Sequence, residues 1–125
     1  MDSKLTVGIA DMKLAQGSGI LINYELVSCI GLCFHDHRLN LGALLHVMLP
    51  LNMEAGRKNP LKYADTGIRE TLRQLEAKGA SRSRLTVKIA GGAKMFEISD
   101  TNSTLGNIGQ RNIESVHTIL RKENI

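Results

Sequence analysis

Two short apolar runs separated by polar residues predict a β-hairpin in the first half of the chain. The runs cover residues 29–35 and 41–48, and a two-residue turn at 37–38 would pair Cys29 directly with His46. Directly opposed residues of an antiparallel pair share a face, with Cβ atoms about 4.5–5.5 Å apart. At that separation a thiol and an imidazole could hydrogen-bond. A register shifted by one residue would turn the two side chains to opposite faces, so this prediction depends on the turn.

The length and composition favour a single domain, residues 1–125, with an aliphatic core. A chain of 125 residues can bury such a core without disulfides or metals. Only 3% of the residues are aromatic and none is Trp, so surfaces for stacking nucleic-acid bases are scarce. The net charge of +4 is spread along the chain, with Arg57, Lys58 and Lys62 as its nearest cluster. A solvated surface is therefore favoured over a nucleic-acid interface.

The sequence contains neither a secretory leader nor an apolar run of about 18 residues, so we expect a cytoplasmic protein without membrane insertion. The two cysteines, Cys29 and Cys33, fall on one predicted strand. Four residues of extended chain separate their Cα atoms by about 13 Å, which is too far for a mutual disulfide.

Turn residues and apolar periodicity divide the rest of the chain into strands followed by helices. We predict strands at 5–15, 19–24 and 85–90, a turn at 16–19, helices at 63–78 and 107–121, and loops at 52–62 and 99–106. The first helix has one apolar face, formed by Ala64, Ile68, Leu72 and Leu75. Gly79 provides its C-terminal stop, and the loop at 52–62 is a candidate mobile flap. This order of elements indicates an α+β fold.

Five short motifs follow one another along the chain. They are Ser28-Cys29, Leu45-His46-Val47-Met48-Leu49-Pro50, Tyr63-Ala64-Asp65-Thr66, Gly91-Gly92-Ala93 and Asn107-Ile108-Gly109-x-Arg111-Asn112. With these motifs the chain resembles the CheD family, the chemoreceptor glutamine deamidases of bacterial and archaeal chemotaxis. The resemblance extends over roughly residues 7–120.

This resemblance implies an activity, a fold and two partners. The implied activity is hydrolysis of receptor glutamine side chains to glutamate with release of ammonia, without a cofactor. The implied fold is a layered α+β arrangement of β-sheets with flanking helices, similar to the catalytic domain of the cytotoxic necrotizing factor toxins. The implied partners are the cytoplasmic domain of a chemoreceptor (a methyl-accepting chemotaxis protein) and CheC, a phosphatase of the phosphorylated response regulator.

Three features depart from the family pattern. Val27 stands where the family has a glycine before its Ser-Cys pair, and Asn23 stands where the family has a threonine. A side chain at Val27 would be strained if that position requires a positive φ. The family also continues past its last helix into further strands with a Gly-Gly-x-x-Arg segment, whereas this sequence stops at Ile125.

Through the resemblance, Cys29 and His46 are the predicted catalytic pair, because amide hydrolysis needs a strong nucleophile and a proton donor for departing ammonia. His46 would take the thiol proton and so depress the pKa of Cys29. Asn23 is expected to fix the imidazole tautomer, as the asparagine of Cys-His-Asn proteases does. The Ser28 hydroxyl and the Cys29 backbone N–H are expected to hold the oxyanion.

Each of these residues also has a purely structural interpretation. Cys29 in an apolar strand can be an inert core thiol, and His46 among Leu and Val residues can be a core histidine. Asn23 would suit any turn. Tyr63 and Thr66 fit the entry and cap of the first helix, and they are also candidates for binding substrate in a groove.

Two other functional hypotheses remain open. Cys29, Cys33, His35 and His37 alternate onto one strand face and, with His46, could ligate a metal, but ligands strung along one strand diverge. We therefore expect no metal site, and we expect His35 and His37 to be exposed turn residues. The second hypothesis is a non-catalytic adaptor of the same fold, which binds the receptor or the phosphatase without turnover.

Overall fold

The computed structural model describes residues 4–17, 19–23, 29–48, 59–92 and 108–125, with the backbone alone for 108–110. These residues form six strands and two α-helices. In chain order they are β1 (Lys4–Thr6), β2 (Asp11–Gln16), β3 (Ile20–Ile22), β4 (Ile30–Asp36), β5 (Leu41–Val47), α1 (Ala64–Ala77), β6 (Leu85–Gly91) and α2 (Ile108–Lys122). Short 3₁₀ turns occupy Pro60–Lys62 and Arg82–Arg84.

The strands of the described part form two sheets. Strands β2, β5, β4 and β6 lie side by side, in that order, in a four-stranded antiparallel sheet. Strands β1 and β3 form a small parallel sheet, which the backbone N–H of Val7 extends by donating to the Ile22 carbonyl at 2.7 Å. The two sheets and the two helices confirm the predicted α+β fold.

One face of the four-stranded sheet forms the hydrophobic core. Because side chains alternate along a strand, the even-numbered residues of β4 and the odd-numbered residues of β5 share this face. Its fully buried apolar residues are Ile30, Leu32, Phe34, Leu41, Ala43, Leu45 and Val47. The helices cover them with Ala64, Ile68, Leu72, Leu75, Val116 and Ile119. Each fully buried Leu or Ile contributes about 1.5–3 kcal/mol, so this face is a major source of stability.

Helix α1 confirms the prediction for residues 63–78. It runs over Ala64–Ala77, and Gly79 adopts a positive φ of 100° just after its end. On the buried side of the helix, Gly67 lies against β5, where an added Cβ would be 3.2 Å from Val47 Cγ1. The helix therefore packs closely on β5 and fixes the position of that strand.

The predicted strand at 5–15 is wrong, because the chain turns within it. Strands β1 and β2 belong to different sheets, and Ala10 between them has a positive φ of 57°. The Asp11 carboxylate holds this turn by accepting the backbone N–H groups of Gly8 at 3.3 Å and Met12 at 2.8 Å. An aspartate that satisfies nearby N–H groups competes with strand pairing, and the apolar alternation of this segment concealed that signal.

The strand predicted at 85–90 is confirmed, and the turn at 16–19 and the helix at 107–121 are confirmed in their described residues. The predicted strand at 19–24 contains β3 in its described part. The predicted loop at 99–106 lies outside the described residues, as does most of the predicted flap. Among the residues described, no helix is long and apolar enough to cross a membrane.

A four-residue turn joins β4 to β5, and Asp36 holds it. The Asp36 side chain is fully buried and accepts the backbone N–H groups of Arg38 at 3.0 Å and Leu39 at 3.4 Å. Asn40 closes the turn with a positive φ of 48°. From beyond the turn, Arg84 donates to the Asp36 carboxylate through Nε and Nη2 at 2.9–3.2 Å. This contact with Arg84 is the main reason why the pKa of Asp36 falls to about 2.

Candidate active site

The predicted hairpin register is wrong by two residues, and the turn explains the difference. Asp36 pairs with Leu41, because the turn contains four residues instead of two. Gly31, not Cys29, therefore lies directly opposite His46. A shift of two residues keeps each side chain on its predicted face, since the side-chain period of a strand is two.

Cys29 lies one residue pair beyond Gly31, just before β4 begins. Its carbonyl accepts the backbone N–H of Gly92 at 2.9 Å, which continues the β4–β6 register by one pair. Extending the alternation of β4 by the same step places Cys29 on the His46 face, as a diagonal neighbour. Diagonal neighbours lie about 7–8 Å apart across an antiparallel pair. The thiol and the imidazole are therefore neighbours on one face without being directly opposed.

His46 is fully buried, on the sheet face that points away from the helices. Its exposed fraction is 0%, and neither ring nitrogen has a hydrogen-bond partner among the described residues. Burial lowers the pKa of the imidazole from its ordinary value of 6.5, so the ring is neutral at pH 7. Buried polar groups are almost always hydrogen-bonded, so both ring nitrogens remain available to a partner that the described residues do not supply.

The small β1–β3 sheet packs over the His46 side of the larger sheet. Strand β3 contacts β2 and β5. Leu21 of β3 lines a concavity together with Cys33 and Gly42, which share the outer face of β4 and β5. The segment between β1 and β2 is tied to the same place, because the Ala10 N–H donates to the His46 carbonyl at 2.9 Å.

Cys29 is a partly buried free thiol, and burial raises its pKa from the ordinary value of 9.0. The predicted depression of the Cys29 pKa is therefore wrong for this conformation. Cys29 and His46 are not hydrogen-bonded to each other, because neither ring nitrogen of His46 has a partner in the described part of the chain. The resting pair consists of a neutral thiol and a neutral imidazole.

Asn23 directly follows β3 of the small sheet. Its side-chain nitrogen Nδ2 is buried and has no hydrogen-bond partner among the residues described. No hydrogen bond joins Asn23 to His46 in this conformation. Ser28 and Val27 lie outside the described residues. The roles assigned to Asn23 and Ser28 remain predictions.

Tyr63 and Thr66 lie at the start of α1, close to the end of β5. Tyr63 is the N-cap residue and is 2% exposed. The Thr66 hydroxyl donates to the Pro60 carbonyl at 2.5 Å and so ties the helix to the preceding 3₁₀ turn. The N–H of Met48 donates to the Lys62 carbonyl at 2.8 Å, which holds this turn beside the end of β5. A part in substrate binding remains a prediction for both residues.

The remaining candidates of the metal hypothesis lie along β4 and its turn. His35 belongs to β4, which corrects its assignment to the turn, whereas His37 is an exposed turn residue. Their rings meet edge to face with centroids 4.8 Å apart. Cys29 and Cys33 are both free thiols. Within the described ranges, no group of three or more His, Cys, Asp or Glu residues could hold a metal ion.

Gly31 is a candidate site residue that the sequence reasoning missed. It is buried within β4, with His46 opposite on one side and Ala90 opposite on the other. Glycine inside a strand often marks a position where a ligand or another backbone comes close. That signal is present in the sequence, two residues after Cys29 in an otherwise apolar run.

Comparison with known proteins places this geometry in a family. The model of the CheD family, described as CheD chemotactic sensory transduction, matches residues 48–125. A probable chemoreceptor glutamine deamidase CheD of Syntrophomonas wolfei subsp. wolfei is 44% identical over 126 residues, covering 100% of this chain and 74% of that protein. Alignments of this length include Cys29 and His46, which precede the family-model match.

Proteins of the same name from Clostridium botulinum and Pyrococcus abyssi show similar agreement. The first is 42% identical over 125 residues, which is 99% of this chain and 76% of that protein. The second is 39% identical over 123 residues, or 98% of this chain and 74% of that protein. The family model covers more than half of the chain and the relatives align with nearly all of it, so this chain belongs to the CheD family.

Proposed function

We propose that this chain is a protein-glutamine deamidase that hydrolyses glutamine side chains of chemoreceptors to glutamate and releases ammonia. Relatives at 39–44% identity carry the name chemoreceptor glutamine deamidase. In this chain, one observation carries the proposal: Cys29 shares a sheet face with a buried His46 whose ring nitrogens are unpaired among the described residues. A thiol beside an imidazole is suited to attack on an amide carbon.

The reaction starts from neutral groups, because burial raises the pKa of Cys29 and lowers that of His46. When substrate enters, a side-chain rotation brings the Cys29 Sγ within hydrogen-bonding reach of a His46 ring nitrogen. His46 takes the thiol proton while the sulfur attacks the amide carbon. A C–S bond forms and the carbonyl electron pair moves to the oxygen. Proton transfer accompanies the attack and does not precede it.

The tetrahedral intermediate then loses ammonia. The His46 imidazolium donates its proton to the amide nitrogen, the C–N bond breaks, and a thioester remains on Cys29. Water attacks the thioester carbon while His46 accepts one of its protons. The C–S bond breaks, glutamate leaves, and His46 returns the proton to the sulfur. One amide and one water become one carboxyl group and one ammonia.

Asn23 and Ser28 support this pair in the proposed mechanism. The Asn23 side-chain oxygen accepts the N–H of the imidazole and so fixes its tautomer. Its position after β3 of the small sheet is compatible with this role. The Ser28 hydroxyl and the backbone N–H of Cys29 donate to the developing oxyanion. The chemistry requires neither a metal nor an organic cofactor.

The start of α1 forms one wall of the substrate groove in this proposal, with Tyr63 and Thr66 as contacts. The hydrogen bond from Met48 to the Lys62 carbonyl holds that segment beside the end of β5. The chemoreceptor cytoplasmic domain is the proposed substrate, and a CheC-type phosphatase is a proposed second partner. The proposed compartment is the cytoplasm, where unpaired cysteines are the rule, and both cysteines of this chain are free.

A second candidate function is a non-catalytic adaptor that binds the receptor or the phosphatase. One observation favours it: Cys29 and His46 are not hydrogen-bonded, and burial raises the pKa of the thiol. Both functions predict the same partners, so binding alone does not separate them.

Ammonia release from a purified receptor cytoplasmic fragment separates the two functions. We expect wild type to release ammonia and to convert glutamine to glutamate at defined positions, as read by mass spectrometry. Cys29→Ala should lower the rate by about 10³-fold or more. Thr118→Ala is the control, since Thr118 is exposed on α2, which packs on the opposite face of the sheet. Equal ammonia release by wild type and Cys29→Ala would overturn the proposed activity and leave the adaptor.

A further inference from the structure

Strands β4 and β6 carry exposed side chains on the same side of the sheet as His46. The surface consists of three cross-strand pairs: Gly31 with Ala90, Cys33 with Lys88, and His35 with Thr86. Cys33, Lys88 and Thr86 are exposed, whereas β3 packs over the neighbouring strands β2 and β5. We call these three pairs the docking face. Its polar composition suits contact with solvent or a transient partner, not a permanently buried layer.

The docking face is shaped to hold one helix. A concavity of about 440 Å³ lies on it, lined by Cys33, His35, His37, Thr86 and Lys88. Two strands with their flanks give a floor about 10 Å wide, because neighbouring strands are spaced about 4.7–4.9 Å apart. An α-helix with its side chains is about 10–12 Å in diameter.

The charge of the docking face is positive. Lys88 lies at its centre and forms no ion pair with another described residue. Among the described residues of β4 and β6, the acidic residue is Asp36, whose side chain is buried on the opposite face. An uncompensated ammonium in the middle of a polar surface attracts a carboxylate from a partner.

The docking face is continuous with the candidate active site. Cys29, Gly31 and Cys33 follow one another along one face of β4. The Cys33–Lys88 pair lies about 13 Å along the strand from Cys29, which corresponds to two to three turns of an α-helix. Suppose that a helix lies along β4 with its target glutamine at Cys29. The residues of that helix two to three turns from the glutamine then lie over Lys88.

We propose that the docking face binds the substrate segment that bears the target glutamine, as a helix along β4 with an acidic side chain on Lys88. This inference rests on the proposed function and specifies its substrate: a helical segment with a carboxylate two to three turns from the glutamine. Lys88 then supplies selectivity that the Cys-His chemistry itself lacks.

Binding is tested separately from catalysis, in a Cys29→Ala background that does not turn over. The affinity of this chain for a purified receptor cytoplasmic fragment is measured by calorimetry, with and without Lys88→Glu. We expect Lys88→Glu to weaken binding by about tenfold or more, because it sets two like charges against each other. Lys78→Glu is the matched control, an exposed lysine just after α1, and should leave the affinity unchanged. Changing the partner carboxylate to lysine should restore binding to the Lys88→Glu variant.

A variant with a larger side chain on the docking face gives a second, independent test of receptor binding. Thr86→Trp places a large side chain on the docking face, so we expect it to weaken receptor binding while the melting temperature stays within a few degrees of wild type. Unchanged binding in both Lys88→Glu and Thr86→Trp would overturn the proposal, as would an equal loss in Lys78→Glu. A change of molecular size in solution on Thr86→Trp, without loss of receptor binding, would assign the face to a second copy instead. If the receptor assay shows no Cys29-dependent ammonia release, the proposed activity is wrong. The binding measurements on Lys88→Glu and Thr86→Trp then still decide whether the docking face binds the receptor.

Discussion

Gly31 lies directly opposite His46 in the β4–β5 ladder, so the buried imidazole faces a backbone position that carries no side chain. On its other side Gly31 faces Ala90, which is also small. Directly opposed residues place their Cβ atoms about 4.5–5.5 Å apart, so a larger residue at 31 would lie against the imidazole. We expect the substrate amide to lie over Gly31, in the space that a larger side chain would occupy, because there it can reach both Cys29 and His46.

Replacing Gly31 with valine tests the need for this space. We expect Gly31→Val to lower kcat for glutamine hydrolysis at least about tenfold, because the added side chain displaces the amide from His46. Because Gly31 is buried, we also expect the added side chain to destabilise the fold by about 1–3 kcal/mol, so kcat is measured well below the unfolding temperature of the variant. Gly42→Ala is the control on the same face of β5, because its added Cβ would lie 3.4 Å from the Phe34 carbonyl oxygen, an ordinary contact. Normal ammonia release by Gly31→Val would contradict the assignment of this space to substrate.

The reactivity of the two cysteines should differ with pH. Burial raises the pKa of Cys29 from 9.0, so we expect slow alkylation by iodoacetamide at pH 7 and a steep rise above pH 9. Below the pKa, each pH unit lowers the thiolate fraction and the rate about tenfold. Cys33 is exposed and should react faster at pH 7. Mass spectrometry of the two alkylated peptides gives both rates. Fast labelling of Cys29 near pH 7 that His46→Gln abolishes would show that the resting pair is ionised, against this expectation.

The buried Asp36 should make stability fall in acid. Its pKa is lowered from 3.8 to about 2, first of all by hydrogen bonds from Arg84. The unfolded chain therefore binds a proton at higher pH than the folded chain does. The stabilisation is present above pH 3.8 and is lost as the pH falls through about 2. We call the fall of the melting temperature between pH 3.8 and about 2 the acid limb. We expect Asp36→Asn to lower the melting temperature at pH 7 and to make the acid limb less steep, as followed by circular dichroism.

The control for this acid limb is Glu70→Gln. The pKa of Glu70 is also lowered to about 2, chiefly by hydrogen bonds from Arg73. That pair lies on the surface of α1, where solvent screens it, so its removal should change the free energy of unfolding by no more than about 1 kcal/mol. An acid limb that disappears with Glu70→Gln but persists with Asp36→Asn would be inconsistent with the role given to Asp36.

The strands of the hairpin could be predicted from the sequence, whereas their register could not. Alternating apolar residues show which side chains share a face, because that depends only on odd or even spacing. Register depends on the number of residues in the turn, and the turn is held by Asp36. Asp36 in turn accepts hydrogen bonds from Ser81 and Arg84, which come from a distant part of the chain. The sequence of the hairpin alone does not indicate that Ser81 and Arg84 contact Asp36.

The shared face of Cys29 and His46 could be predicted from the sequence, whereas the direction of their pKa shifts could not. Cys29 and His46 stand in recognisable motifs, and their shared face follows from strand periodicity. Their pKa shifts come from burial, in opposite directions for the thiol and the imidazole. That burial is a property of the tertiary structure, which local sequence patterns do not show. The same cause explains why a predicted ionised pair is a neutral pair in the structure.

The last prediction concerns Gly92, whose backbone N–H holds the Cys29 carbonyl. Gly92 has a positive φ of 79°, and an added Cβ would lie 2.6 Å from Ile113 Cγ1 and 2.8 Å from Ile30 Cδ1. We expect Gly92→Ala to destabilise the protein by about 2–5 kcal/mol, with about 1–2 from the backbone conformation and about 1–3 from overpacking. The measurement is urea unfolding followed by circular dichroism.

Gly17→Ala separates these two contributions. Gly17 has a similar φ of 83°, but an added Cβ would meet nothing within 4 Å, so only the backbone cost of about 1–2 kcal/mol is expected. The Gly92 N–H donates to the Cys29 carbonyl, so backbone movement that relieves the clash in Gly92→Ala should also shift Cys29. We therefore expect Gly92→Ala to change the alkylation rate of Cys29 and Gly17→Ala to leave it unchanged. If the two variants lower the free energy of unfolding equally and leave Cys29 alkylation equal, then Ile113 of α2 moves aside at no measurable cost. In that case the packing of α2 would not fix the position of the nucleophile.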